Sequence, residues 1–142
     1  MSNEVSIYTD GGARGNPGPA AIGVVITHGN KKLTEFGKAI GETTNNVAEY
    51  TAVKEALIWL KDNPLNMEIG IPNYLFFLDS ALVVHQLNGY FKVKNPGLRL
   101  LLSQIRILEQ EIKGSVKYNL IPRERNTRAD FLVNRTLDSL QY

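Results

Sequence analysis

The sequence predicts a mixed α/β fold: one five-stranded sheet, three antiparallel strands followed by parallel ones, with helices on both faces. Three observations support it. The first 40 residues hold three β-rich segments joined by short turns, helix and strand patterns alternate afterwards, and the composition (43% apolar, 21% charged) is in the globular range. The length of 142 residues predicts a single domain spanning 1–142.

The first three predicted strands form a meander. Val5–Asp10 is rich in β-branched and aromatic residues, and the glycines and prolines of Gly11–Pro19 are expected to end it. Ala20–Thr27 is the second predicted strand. A polar turn containing Gly29 leads to the third, Lys32–Ala39. Such short connections favour antiparallel hairpins.

The next segment predicts an amphipathic helix. Its apolar residues recur at intervals of three and four, at Tyr50, Val53, Leu57 and Leu60. The polar residues 43–46 are candidate N-caps, and Asn63-Pro64 is expected to end the helix. Glu49 falls at the edge of the apolar stripe, so its carboxylate should face the sheet rather than solvent.

A strand and a short helix follow. The continuous apolar run Tyr74–Leu78 predicts a strand buried on both faces, with Asp79 at its carboxyl end. Ser80 can cap a short helix that runs to Leu87 and closes at Asn88-Gly89.

The remaining residues predict two helices separated by a strand and a basic loop. Apolar spacing over Leu98–Ile112 indicates a long amphipathic helix, and Val116–Ile121 is the last predicted strand. The loop Arg123–Arg128 is basic. Thr127 and Asp130 have the spacing of a capping box at the start of a terminal helix.

Composition excludes several classes of function. The chain has no cysteine and two histidines, which excludes disulfide frameworks and thiolate metal sites. No apolar run is long enough to span a membrane and no signal peptide is visible, so we expect a cytoplasmic protein. Residues 1–91 carry six Lys or Arg and nine Asp or Glu, whereas residues 92–142 carry ten and five. This asymmetry is consistent with two different tasks or with chance surface variation.

Four acidic residues form the main candidate site. Asp10 and Asp79 end predicted strands, and Glu49 and Asp130 lie in the first turns of predicted helices. Each also has a local structural explanation as a turn or helix-cap residue. If the sheet brings them together, they form an oxygen-only cluster that needs protons or metal to neutralise it. Hard oxygen ligands favour Mg²⁺ or Mn²⁺, and a pair of such ions suits phosphodiester cleavage.

Four motifs carry a resemblance to a known family. They are YTDGGARGNPGP at 8–19, TTNNVAEY at 43–50, DSALVV at 79–84 and PRERNTRAD at 122–130. In this order they resemble the motifs of type 1 ribonuclease H, in the compact prokaryotic form that lacks the basic protrusion. The resemblance extends from about Val5 to Leu140. No histidine occurs between Asn119 and Asp130, where many members of the family have one.

The resemblance implies the ribonuclease H fold and endonucleolytic hydrolysis of the RNA strand of RNA–DNA hybrids, giving 5′-phosphate and 3′-hydroxyl ends. It implies two Mg²⁺ ions, with Mn²⁺ as a possible substitute, held by the catalytic carboxylates Asp10, Glu49, Asp79 and Asp130. We expect a monomer that acts on the hybrid duplex without a protein partner or a membrane.

The resemblance also implies contacts with the substrate. Residues expected to read the minor groove are Asn16, Asn45 and Asn46. Residues expected to hold a phosphate of the DNA strand are Thr44 and Asn95. Further expected substrate contacts are Gly11, Arg123 and Asn126. For Asn45 and Asn46, helix capping is an alternative role that is compatible with substrate binding.

Three other functions remain open. A structure-specific DNA nuclease on the same fold is disfavoured by the asparagine-rich groove motifs. A non-catalytic hybrid-binding module is disfavoured because all four acids are present. A dinucleotide-dependent enzyme is disfavoured because no Gly-x-Gly-x-x-Gly follows a parallel-type strand.

Overall fold

The computed structural model describes residues 2–65 and 70–140. The strands are β1 (Glu4–Ala13), β2 (Gly18–His28), β3 (Lys31–Thr43), β4 (Asn73–Leu78) and β5 (Ser115–Leu120). The helices are α1 (Asn45–Asp62), α2 (Ala81–Leu87), α3 (Pro96–Glu111) and α4 (Thr127–Asp138), and a 3-10 turn at Arg123–Arg125 precedes α4. This order, β-β-β-α-β-α-α-β-α, is the predicted one.

The five strands form one mixed sheet in the order β3-β2-β1-β4-β5. β1, β2 and β3 pair antiparallel, whereas β4 pairs parallel with both β1 and β5. Tyr8 on β1 pairs with Phe77 on β4. Asp10 and Asp79 each come two residues after these partners, so the register brings both to the same edge of the sheet.

Helices cover both faces, as predicted. The main core, built around Val5, Ile7, Val24 and Ile26, packs against α1 and α3, and α4 packs on the opposite face over β1, β2 and β3. Gly23 permits that approach, because a Cβ there would overlap the backbone carbonyl of Ala129 on α4.

Several boundaries and one burial prediction are wrong. β1 continues to Ala13 and β3 to Thr43, because cross-strand partners supply hydrogen bonds that local propensity does not reveal. The turn between β1 and β2 is therefore only residues 14–17. β4 is fully buried on one face only: Phe77 on the other face is half-buried, because α4 lies over β1, β2 and β3.

Two predicted helix caps are confirmed. Thr44 caps α1 by accepting a hydrogen bond from the Val47 N–H at 3.2 Å, and Ser80 caps α2. Asn95 caps α3, a role that the sequence pattern did not predict. Among the helices of residues 2–65 and 70–140, none combines the length and the apolarity that a membrane crossing requires.

Candidate active site

Three carboxylates converge at the edge of the sheet where β1 and β4 end. Asp10 is on β1, Asp79 directly follows β4, and Glu49 lies near the start of α1. One oxygen from each of them lies within 4.8 Å of the others. An all-oxygen group of this size fits a hard divalent cation.

Gly11 holds two of these carboxylates together. Its backbone N–H donates to Glu49 Oε1 at 2.6 Å and to Asp10 Oδ1 at 3.0 Å. Helix α1 can approach β1 this closely because Gly11 has no side chain: a Cβ there would overlap the backbone carbonyl of Ala48. The backbone of Gly11 therefore fixes the positions of the Asp10 and Glu49 carboxylates.

Burial disfavours the charged forms of these acids. Glu49 is 7% exposed, as its predicted inward orientation requires, and burial raises the pKa of its carboxyl well above the usual range. Burial also raises the pKa of Asp10 from its ordinary value of 3.8 to about 7, and the charges of Asp79 and Asp130 contribute. Asp10 and Glu49 therefore hold protons more tightly than ordinary carboxylic acids do.

Asp130 stands apart from the three. It lies in the first turn of α4 and lines a cleft of about 200 Å³ together with Asp10, Asp79 and Arg123. Among the described residues, it is not part of the group whose oxygens lie within 4.8 Å. The structure thus brings three of the four predicted carboxylates together and places the fourth on the wall of the same cleft.

The predicted capping box at the start of α4 is wrong. Thr127 is the first helical residue and Asn126 is the cap residue, and the Asn126 side chain makes no capping hydrogen bond. It is 1% exposed and donates to Asp79 Oδ2 at 3.0 Å and to the Thr9 carbonyl at 2.9 Å. The Asn126 side chain makes these tertiary hydrogen bonds instead of a capping hydrogen bond to the first turn of α4. Asn126 was expected to contact substrate, but its side chain faces inward.

Two exposed asparagines brace the turn beside the cleft. Asn16 Oδ1 accepts a hydrogen bond from the Asn45 N–H at 2.9 Å, and Asn45 Oδ1 accepts one from the Ala13 N–H at 2.9 Å. Because both amide oxygens are engaged by the backbone, the Nδ2 groups are the parts that a ligand would meet.

The other expected substrate contacts are dispersed. Asn46 is half-buried in the first turn of α1. The side chains of Thr44 and Asn95 cap α1 and α3, and Asn95 is not among the described residues that line the cleft. Two polar residues that line the cleft, Arg14 and Asn134, were not among the predicted site residues.

Comparison with known proteins identifies the family. The family model described as "Reverse transcriptase-like" matches residues 8–136. A ribonuclease H of Clostridium botulinum is 33% identical, covering 95% of this chain and 96% of its own length. A bifunctional protein of Mycobacterium tuberculosis is 40% identical over 96% of this chain, which spans only 36% of that relative. The chain thus covers about a third of the length of the mycobacterial relatives it matches.

Comparison with solved structures identifies the same family. LC11 ribonuclease H1, isolated from compost, superposes with a TM-score of 0.89 at 46% identity, covering 96% of this chain and 97% of that one. The ribonuclease H1 of Halobacterium salinarum gives a TM-score of 0.85 at 38% identity, with 96% and 98% coverage. These matches confirm the resemblance and the fold that the motifs predicted. The chain belongs to the type 1 ribonuclease H family.

Proposed function

We propose that this protein is an endonuclease that hydrolyses the RNA strand of RNA–DNA hybrids, leaving 5′-phosphate and 3′-hydroxyl ends. The observation that carries the proposal is the convergence of Asp10, Glu49 and Asp79 beside an open cleft. LC11 ribonuclease H1 has also been solved in complex with an RNA/DNA hybrid. That structure has 45% identity and a TM-score of 0.87, covering 95% of this chain and 97% of that one. We further propose that residues 1–142 act as one domain and as a monomer.

The proposed cofactor is a pair of Mg²⁺ ions, with Mn²⁺ as a substitute. Asp10, Glu49 and Asp79 supply the compact set of oxygen ligands, and Asp130 faces the same cleft. Divalent cations, when bound, would activate water for attack on the phosphate and stabilise charge on the leaving oxygen. The raised pKa values of Asp10 and Glu49 support this fit, since burial and the neighbouring carboxylates disfavour their charged forms and a bound cation would favour them.

The remaining residues of the cleft would orient the substrate. Arg123 lines the same cleft as the carboxylates, where its guanidinium would attract a phosphate of the scissile strand. The Gly11 N–H orients the Asp10 and Glu49 carboxylates. Because these side chains are already ordered, the reaction does not incur the entropic cost of ordering them. No side chain needs to form a covalent bond to the substrate.

Asn16 and Asn45 would recognise the minor groove of the hybrid. Their Nδ2 groups are hydrogen-bond donors, and the groove displays acceptors at the purine N3 and pyrimidine O2 atoms and at the 2′-hydroxyls. Contact with these atoms would favour an A-form-like duplex over one with a narrow groove. This role supports RNA–DNA hybrids as the substrate rather than DNA duplexes.

Asn45→Asp should raise KM for a hybrid about tenfold with little change in kcat. The carboxylate introduced at this position would still accept the Ala13 N–H, so the turn should remain braced, but the donor is lost and a negative charge faces the duplex. The control Asn30→Asp makes the same change in the turn between β2 and β3, at the opposite end of these strands. Steady-state kinetics would refute this role for Asn45 if both variants showed the same KM.

Without metal, the stability of the protein should fall as pH rises from 5 to 8. The pKa of Asp10 is about 7 in the folded protein and 3.8 ordinarily, so the folded state holds a proton that the unfolded chain has released. The stabilisation from this proton is therefore fully present below pH 3.8 and is lost as the pH rises to about 7. For Asp10 alone the loss is on the order of 2 to 4 kcal/mol in the free energy of unfolding.

Millimolar Mg²⁺ should restore that stability, because the ion binds the folded state. Thermal unfolding in EDTA and in Mg²⁺, at pH 5 and pH 8, measures both effects. Asp10→Asn serves as the control, since it should remove the part of the pH dependence that Asp10 contributes. A melting temperature that neither pH nor Mg²⁺ changes would argue against a preformed acidic cluster.

The proposed substrate is tested with duplexes of one sequence: an RNA–DNA hybrid, double-stranded DNA and double-stranded RNA, each incubated with the protein in Mg²⁺. We expect cleavage of the RNA strand in the hybrid. Cleavage of the DNA duplex in preference to the hybrid would favour a structure-specific DNA nuclease. Binding of the hybrid with no fragments in Mg²⁺ or Mn²⁺ would favour a non-catalytic binding module.

A further inference from the structure

We infer that Asn126 is a positioning residue that holds the Asp79 carboxylate in place for metal binding, an inference that rests on the proposed function. Asn126 lies between two exposed neighbours, Arg125 and Thr127, yet its own side chain is almost completely buried. A polar side chain that turns inward from an exposed segment must be held there by specific partners.

Those partners belong to two different strands of the catalytic edge. Asn126 Nδ2 donates to Asp79 Oδ2, which follows β4, and to the Thr9 carbonyl, which precedes Asp10 on β1. Both N–H bonds of the amide are thereby used. One side chain thus ties the position of the Asp79 carboxylate to the backbone that carries Asp10.

The backbone of Asn126 adds a third connection. Its N–H donates to the Arg123 carbonyl at 2.9 Å, which closes the 3-10 turn. Its carbonyl accepts a hydrogen bond from the Asp130 N–H at 3.1 Å, in the first turn of α4. Asn126 therefore links the segments that carry Asp10, Asp79 and Asp130.

Local stability does not explain this arrangement. At a helix N-terminus an asparagine normally accepts a hydrogen bond from a backbone N–H of the first turn, and Asn126 does not. Its Oδ1 is buried and has no hydrogen-bond partner among the described residues. The Asn126 amide makes no capping hydrogen bond and leaves its own acceptor unpaired, which costs stability. Its role in orienting Asp79 explains this conformation, since hydrogen-bond partners of metal ligands commonly fix their orientation.

The role differs from the substrate contact that the family resemblance implies. With its side chain buried and both N–H bonds directed to protein atoms, Asn126 has no free donor for a nucleic acid. Its loss should therefore weaken metal binding and turnover, whereas affinity for the duplex should be unaffected.

The test uses Asn126→Ala, the milder Asn126→Ser, and a control that destabilises the core elsewhere. Leu60→Ala serves as that control, because Leu60 is buried on α1 eleven residues beyond Glu49. Mn²⁺ binding is followed without substrate, by loss of the free-ion signal in electron paramagnetic resonance, and kcat and KM are measured on the hybrid.

We expect both Asn126 variants to bind Mn²⁺ about 10- to 100-fold more weakly and to lose kcat by a similar factor, with KM within about twofold of wild type. Leu60→Ala should lower only the melting temperature. Asn126 variants that behave like Leu60→Ala, or that raise KM with unchanged Mn²⁺ affinity, would overturn the inference. A wild-type protein that binds no Mn²⁺ and cuts no hybrid would instead overturn the proposed function itself.

Discussion

Asp10→Asn should lower kcat for hybrid cleavage by at least about 10³-fold while the protein remains folded. Asparagine has the shape of aspartate, and its Oδ1 can still accept the Gly11 N–H. The asparagine side chain lacks the negative charge that the proposed metal site requires at position 10. An oxygen of Asp10 lies within 4.8 Å of oxygens of Glu49 and Asp79. The measurement is single-turnover cleavage with saturating enzyme in Mg²⁺.

The same substitution should make the metal-free protein more stable at pH 8, because it removes a partly buried charge next to Glu49 and Asp79. Loss of activity together with a gain in stability separates a functional effect from unfolding. Asp62→Asn, at the carboxyl end of α1, is the matched control and should retain activity. If Asp10→Asn kept more than a tenth of wild-type activity, Asp10 would not be an essential ligand.

Gly11→Ala should strongly destabilise the protein, although it adds only one methyl group. The new Cβ would overlap the carbonyl of Ala48 and lie 2.5 Å from the Glu49 backbone nitrogen. These are backbone atoms, which cannot rotate away as a side chain can. Helix α1 must therefore shift, with a loss of about 3 kcal/mol or more in the free energy of unfolding and a displacement of the Glu49 carboxylate.

Gly12→Ala is the matched control for stability. Its Cβ would lie 3.7 Å from Val133 Cγ1, an ordinary van der Waals contact. Urea unfolding should therefore show a large shift in the midpoint for Gly11→Ala and a small one for Gly12→Ala. Equal midpoints would mean that the close approach of α1 to Gly11 does not constrain the fold.

Much of the fold could be predicted because its signals are local. The spacing of Tyr50, Val53, Leu57 and Leu60 defines the buried face of α1, and all four are buried. The same projection predicted that Glu49 faces inward. Short turns between the first three strands and longer connections between the later ones were enough to predict antiparallel and then parallel pairing.

The details that could not be predicted depend on contacts between distant residues. Asn126 binds Asp79, 47 positions away, and Thr9, 117 positions away, so no local pattern distinguishes it from an ordinary cap residue. The role of Gly11 depends on the Ala48 backbone that packs against it. The extension of β1 to Ala13 likewise depends on its pairing with Ala20.

Strand-resolved cleavage measures metal-dependent hydrolysis of the RNA strand within a hybrid. A hybrid with different fluorophores on its RNA and DNA strands is incubated with the wild-type protein in Mg²⁺ or in EDTA, and the fragments and their ends are analysed. We predict RNA fragments with 3′-hydroxyl ends in Mg²⁺, an intact DNA strand, and no fragments in EDTA. Cleavage of the DNA strand, or equal cleavage of RNA in EDTA, would show that the protein is not a metal-dependent nuclease specific for the RNA strand.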